Sequence, residues 1–383
     1  MGTSQKDPEY SSATARVKHS PRGRHTAATM FTHDHRLPDA RALERLRADL
    51  AGLSVATDRD GPWRSGAFDR VASSGLLAGF IAPEDGGTGA TEEALLAALA
   101  DVASACLTTA LVLTQWASAC RLLATGPAAL RARFLPGLAR GEATTTVGIA
   151  QLTTSRRHVG TPALRAVRQG TSWRLDGVCP WVTGADSSDT IVTGAASEDG
   201  TPVFFVVPTT AAGLDIRPPM SLLALSGSRT SSVTFDGVEP SCDIVPATTT
   251  PARAGGLATS ALAIGASRTS LAILEGEAAA RPGLASAAAR FRREVDDLAA
   301  RLAVLAAAEA PDPDARDSLR TAANSLVIRA AQAALTATKG AGFVVGHPAE
   351  RSVREAMLFL VWSCPQQVAT AVMCELAHLD GPA

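Results

Sequence analysis

The sequence predicts an α+β protein in three blocks: an N-terminal helical domain, a middle antiparallel β-barrel or sandwich, and a C-terminal four-helix bundle. Two observations carry this. The hydrophobic period switches from helical to strand-like near residue 144 and back near residue 251. Glycine-bearing turn pairs crowd the middle third, whereas long alanine-rich runs fill the last. The expected boundaries are a disordered tail over 1–36, a helical domain over 37–143, a β domain over 144–250 and the bundle over 251–383. With 383 residues, 46% of them hydrophobic, the chain is long enough to bury a large core.

In the first block, Leu43, Leu46 and Leu50 recur at helical spacing, as do Phe68, Val71 and Leu76. A turn is expected over 83–89, after which Thr91 caps a long helix. Glu92 and Glu93 stand in its first turn, where the helix dipole favours negative charge. A further apolar helix runs from about Thr108 to Leu123, and a short one from Leu130 to Gly141. In the second block, short runs rich in β-branched and aromatic residues predict strands at 145–149, 173–175, 190–192 and 203–207. Gly170, Asp176-Gly177, Asp199-Gly200 and Asp236-Gly237 are read as hairpin turns between strands. In the third block, helices are expected over 256–280, 284–309, 313–337 and 349–379. Short breaks separate them, the last being a glycine loop over 340–346.

Composition limits the function. A net charge of −1 gives no electrostatic footprint for nucleic acid. No run is read as long and apolar enough for a membrane span, and residues 1–30 lack the apolar core of a secretory signal; a cytoplasmic location is expected. The cysteines lie far apart with no histidine at ligand spacing, so buried reduced thiols are expected and no metal site.

Several motifs are specific in combination. Gly75-Leu76 leads to Pro83-Glu84-Asp85-Gly86-Gly87-Thr88-Gly89, and Leu135-Pro136 leads to Gly141-Glu142. Further on come Gln151-Leu152-Thr153 with Gly160-Thr161-Pro162, and Asp176-Gly177 with Trp181-Val182-Thr183. The bundle holds Lys339-Gly340-Ala341-Gly342-Phe343, Arg354-Glu355-Ala356 and Trp362-Ser363-Cys364-Pro365-Gln366-Gln367. This series, spanning about residues 38–380, closely resembles the acyl-CoA dehydrogenase family.

The resemblance implies FAD between the β domain and the bundle, an acyl thioester substrate on CoA or a carrier, and a homo-oligomer (dimer or tetramer) or pairing with a family member. Thr153, Thr161, Trp181 and Thr183 match flavin-holding positions: Thr153 at the pyrimidine edge, Trp181 beside the ring, Thr183 at N5. Gly340 lies in the loop that matches the one holding the cofactor of a neighbouring subunit, and Gln367 keeps the family's glutamine as a further cofactor-binding position. The alternative for the middle block is that Trp181 is core and the threonines are strand formers.

Ser363 stands where the family places the glutamate that removes the substrate's α-proton, and a hydroxyl cannot act as that base unaided. The first bundle helix offers no substitute, since no carboxylate occurs between Asp243 and Glu275. On a straight last helix, Glu355 and Glu375 would lie roughly 12 and 18 Å along the axis from Ser363. Three activities are therefore open: a flavin-dependent acyl thioester oxidation with a non-standard base, a catalytically inactive partner subunit, and an oxygen-using flavin enzyme. His347 and Cys364 are read as a turn residue and an inert thiol.

Overall fold

The computed structural model describes residues 36–59, 66–153, 163–244, 256–362 and 366–379, all within one compact unit, His33–Ala383. Among them Ala40–Arg59 (α1), Ala67–Ser73 (α2), Leu76–Gly79 (α3), Glu92–Ala105 (α4), Leu107–Ala124 (α5) and Ala128–Ala139 (α6) form the helical first block. Thr91 caps α4 by accepting a hydrogen bond from Ala94 N, as its position before the acidic pair predicts. α5 carries apolar or small residues on nearly every face and is buried almost throughout, the condition of a helix that neighbours surround.

The middle block contains Thr145–Gly148 (β1), the single turn Ala150–Thr153 (α7), Leu164–Gln169 (β2), Ser172–Val182 (β3) and Thr190–Ala196 (β4). Pro202–Pro208 (β5), Leu214–Ile216 (β6), Ser231–Val238 (β7) and Cys242–Ile244 (β8) complete it. Seven strands run in the order β6-β7-β3-β2-β4-β5-β8, and β1 pairs with β4. Pairing is mostly antiparallel, but β1 and β2 each run parallel to β4. The β2–β3 excursion between β1 and β4 is the long crossover that parallel pairing requires. β4 and β5 are buried on both faces. Ile191, Phe205 and Val207 face the β core, while Val192, Phe204 and Val206 belong to the helical core, which explains their unbroken apolar runs.

Two of the four expected hairpin turns are corrected. Asp176-Gly177 and Asp236-Gly237 lie inside β3 and β7, and the β3–β7 register shifts between Leu175 and Gly177. Gly177 takes φ +134°, and a Cβ there would meet Ala163 O at 2.1 Å. Glycine here serves a bulge and a close backbone approach, not a reversal of the chain.

The last block consists of Leu257–Ala280 (α8), Ala285–Ala307 (α9), Pro313–Gly342 (α10), Pro348–Ala356 (α11), Leu358–Val361 (α12) and Gln366–Leu376 (α13). The expected helix over 349–379 is therefore interrupted, and distances along a straight axis do not apply to it. The expected glycine loop also shortens. Residues 340–342 continue α10 beyond Lys339, whose backbone departs from helical geometry at φ 55° and ψ −143°. By length and composition α8 is apolar enough to cross a membrane, contrary to the sequence expectation, with 67% of its most apolar window buried inside the protein. It packs against α4, α9 and α10.

Candidate functional site

The last residues of β3 form the most distinctive surface of the β domain. Cys179 pairs with Val233 and Val182 with Ser231, so three steps on β3 oppose two on β7. Pro180, which has no N–H to give to the ladder, sits in this bulge. The extra residue lets Cys179 and Val182 both face the core at 0% exposure while Trp181 stands out at 53%. The reading of Trp181 as buried core is thereby corrected: the bulge turns the indole outward.

Thr183 follows, nearly buried. Its Oγ1 lies 3.1 Å from Thr230 Oγ1, which lies 2.9 Å from Ser228 Oγ. Thr146 Oγ1 donates to Thr183 O at 2.6 Å, tying β1 to the same point. The turns on either side are fixed to each other, with Gly184 N donating to Arg229 O and Arg229 Nε reaching Asp186 at 3.0 Å. The Ser226–Ser228 turn is pressed so closely on the end of α1 that a Cβ on Gly227 would lie 1.6 Å from Thr57 O. Glycine is the residue that permits this approach.

Thr153 closes α7; its side chain, and all of Thr161, lie outside the described residues. The adjoining Gln151 is a buried cross-link. Its Nε2 donates to Gly194 O at 2.6 Å and to Gly148 O at 3.3 Å, and its Oε1 accepts from Cys179 Sγ at 2.9 Å. Burial pushes the Cys179 thiol up to about 12, so it is no nucleophile at neutral pH.

At the bundle end, Ser363, Cys364 and Pro365 lie outside the described residues, and what precedes them is well held. A helix that stops leaves carbonyls without partners. Asn324 Nδ2 donates to Phe359 O at 2.9 Å and Arg320 Nη2 to Trp362 O at 3.1 Å. Both side chains are buried in the bundle. Gly340 and Gln367 are exposed, at the end of α10 and the start of α13. Among the described residues no hydrogen bond joins either of them to β3.

The molecule thus offers a projecting indole, a nearly buried hydroxyl beside it and a hydroxyl chain behind. That donor set suits a neutral heteroaromatic ring with both donor and acceptor atoms. Comparison with known proteins agrees on the scaffold. Residues 32–142 match the model of the acyl-CoA dehydrogenase N-terminal domain. The fold is acyl-CoA dehydrogenase-like.

Among solved structures it resembles FkbI, for biosynthesis of the methoxymalonyl extender unit of a polyketide, at TM-score 0.73 and 20% identity, covering 89% of this chain and 99% of that one. Glutaryl-coenzyme A dehydrogenase with glutaryl-CoA matches at TM-score 0.74 and 17% identity, covering 88% and 94%. FMN-bound TdsC of Paenibacillus sp. A11-2 matches at TM-score 0.70 and 19% identity, covering 90% and 99%. At these identities the likeness establishes the fold. Comparison with the curated proteins finds no match.

Within this fold, Arg354-Glu355-Ala356 belongs to a lock between α1 and α11. Arg354 donates to Asp58 at 2.8 Å, and Asp58 also accepts from Leu225 N at 3.1 Å. Arg354 also pairs with Glu350, while Arg351 donates to Ser54 Oγ at 2.9 Å and lies 3.7 Å from Glu355. Burial holds the Glu355 carboxyl up at about 7, opposed by Arg351. His347 caps α11, its Nδ1 accepting from Ala349 N at 3.1 Å.

Sequence reasoning missed Gln151, Arg320 and Asn324, and took Ser228 and Thr230 for scaffold. Two signals were available: the i, i+4 spacing of Arg320 and Asn324, which puts both on one face of α10, and the i, i+2 hydroxyls entering β7.

Proposed function

We propose that this chain is a flavin-dependent oxidoreductase that oxidises an acyl group held as a thioester, on CoA or a carrier, without a carboxylate side chain as the proton-abstracting base. The observation that carries this is the nearly buried Thr183 hydroxyl, held by Thr230, beside an indole that a proline-bearing bulge turns outward. A bound flavin supplies the hydride acceptor. Thr183 would satisfy a polar ring atom and Trp181 would cover the apolar face and exclude water, with Thr153 and Thr161 on the adjoining segment. Gly340 would serve FAD in a second copy of the chain, and Gln367 would be a further cofactor contact. Ser363 would face the acyl chain and contribute a neutral hydrogen bond, not a base. Glu355 is committed to the lock with Arg351.

A second reading is flavin-dependent oxygenation, favoured by the lack of any carboxylate from 244 to 274 and from 356 to 374. A reaction with dioxygen needs no α-proton base. TdsC, of the same fold, is described as a dibenzothiophene monooxygenase.

The test is to load the chain with FAD or FMN and titrate it anaerobically with short, branched and long acyl thioesters, then repeat on Ser363→Glu. The expected result is thioester-dependent loss of the oxidised flavin spectrum, at least about a hundredfold faster in Ser363→Glu, the range of a positioned general base. No flavin uptake, or no gain from the glutamate, overturns the proposal. Turnover only with dioxygen favours the second reading. Flavin uptake with no turnover under any condition points to a non-catalytic partner subunit.

A further inference from the structure

We infer that Gln151 and Cys179 are positioning residues whose side chains set α7, the turn that ends at Thr153, against the bulge that turns Trp181 outward. This rests on the reading above, in which Thr153 and Trp181 contact one flavin. The pair fixes the two sides of the flavin's seat to each other from inside the β domain.

α7 has only four residues, too few to be stable as a helix by itself. Side chains hold it in place. Leu152 lies over Gly194 of β4, where a Cβ would meet Leu152 Cδ1 at 2.4 Å. Gln151 Nε2 gives its two hydrogens to Gly194 O and Gly148 O. Turning the amide over would set Oε1 against two carbonyl oxygens, so Oε1 faces Cys179 and needs a donor there. The Cys179 thiol is that donor, at 2.9 Å.

The bulge meets α7 at the same sulfur. Between Cys179 and Val182 the β3–β7 pairing shifts, and Pro180 has no N–H to give. The backbone N–H groups of Trp181, in the bulge, and of Ala150, where α7 begins, are both hydrogen-bonded to Cys179 Sγ. One fully buried thiol therefore gives its proton to α7 and accepts from α7 and the bulge together. The space around it is closed, since a Cβ on Gly148 would lie 3.3 Å from Sγ. Buried groups stripped of their partners are costly, so without this node α7 and the bulge shift until those groups are satisfied elsewhere. Such a shift alters the seat of the ring while the rest of the sheet keeps its pairing.

The experiment compares the wild-type chain with Cys179→Ala, Gln151→Leu, Cys179→Ser and Val238→Ala. Each is titrated with FAD and with FMN, and the dissociation constant and the visible circular dichroism of the bound flavin are measured. The melting temperature of each free variant checks its fold. Cys179→Ser keeps a proton to give and lone pairs to accept with. Val238→Ala opens a cavity in the same core, opposite Leu175 at the far side of β3, and loosens the domain without touching the pair. Affinity should fall about fivefold or more in Cys179→Ala and Gln151→Leu, at least the worth of one hydrogen bond, with altered dichroism. Cys179→Ser and Val238→Ala should keep the wild-type affinity and spectrum. If Gln151→Leu does not fold, Cys179→Ala, which removes only the sulfur, decides. Folded Cys179→Ala that binds flavin as the wild type does overturns the inference and leaves the flavin reading standing. An equal loss in Val238→Ala also overturns it, assigning the effect to general loosening, and an equal loss in Cys179→Ser does so by assigning it to side-chain volume. A wild-type chain that takes up no flavin removes both.

Discussion

The face at the end of β3 and the end of the helical bundle are held together in different ways. On the β side the aromatic and hydroxyl groups stand on rigid backbone: a bulge aims Trp181, and Thr183 is tied to β1 and β7 at once. On the bundle side Ser363, the residue matched by resemblance to the family's glutamate, lies outside the described residues. The segment before it is fastened from behind by Arg320 and Asn324, which donate to main-chain carbonyls. Cofactor-facing polarity can be kept by neutral hydroxyls on a sheet, whereas proton abstraction depends on one ionisable side chain that a single substitution removes.

The comparison can be broken most severely at the lock that joins the two sides. Asp58→Ala leaves Arg354 and Leu225 N without their buried acceptor, and should cost about 3–5 kcal/mol in chemical denaturation. A loss below about 1 kcal/mol would mean that the lock holds nothing together.

Next in size is the pH dependence from Glu355. Its folded-state pKa of about 7 lies above the ordinary 4.5, so the folded chain binds more protons than the unfolded chain between those values. Its contribution to stability is full below about pH 4.5 and is lost as pH rises through 7, a fall of up to roughly 3 kcal/mol. Glu355→Gln should flatten that fall; equal slopes in mutant and wild type would exclude Glu355 as its source.

Gln151→Leu should destabilise by about 2 kcal/mol, because it strips partners from Gly194 O and the Cys179 thiol. It also sharpens the comparison, since the loss should fall on the β domain: hydrogen exchange should rise in β1 and β4 and stay unchanged in α9. Smallest in stability is Trp181→Ala, within about 0.5 kcal/mol for a side chain this exposed, yet it should weaken flavin uptake markedly. A large drop in melting temperature would return Trp181 to a structural role.

Much of this was legible in the sequence. The change of period marked the β domain, and the acidic pair after Thr91 marked a helix start. The misreadings share one physical origin. Gly177 and Gly237 carry the same turn signal whether they reverse a chain or kink a strand, and tertiary contacts decide which. The break between α11 and α13 was hidden because Met357 to Val361 reads as apolar helix, while the groups that hold the broken end come from α10. The orientation of Trp181 was equally out of reach, since it depends on a register shift against a strand some fifty residues away.

The central claim is tested most directly by titrating FAD and FMN into the wild-type chain and Thr183→Val, following flavin fluorescence. The account predicts saturable uptake of one flavin per chain by the wild type. It predicts affinity at least about tenfold weaker in Thr183→Val, the value of a hydrogen bond lost in a nearly buried site, with the melting temperature of the free protein little changed. No uptake by the wild type, or equal affinity in the two proteins, would contradict it.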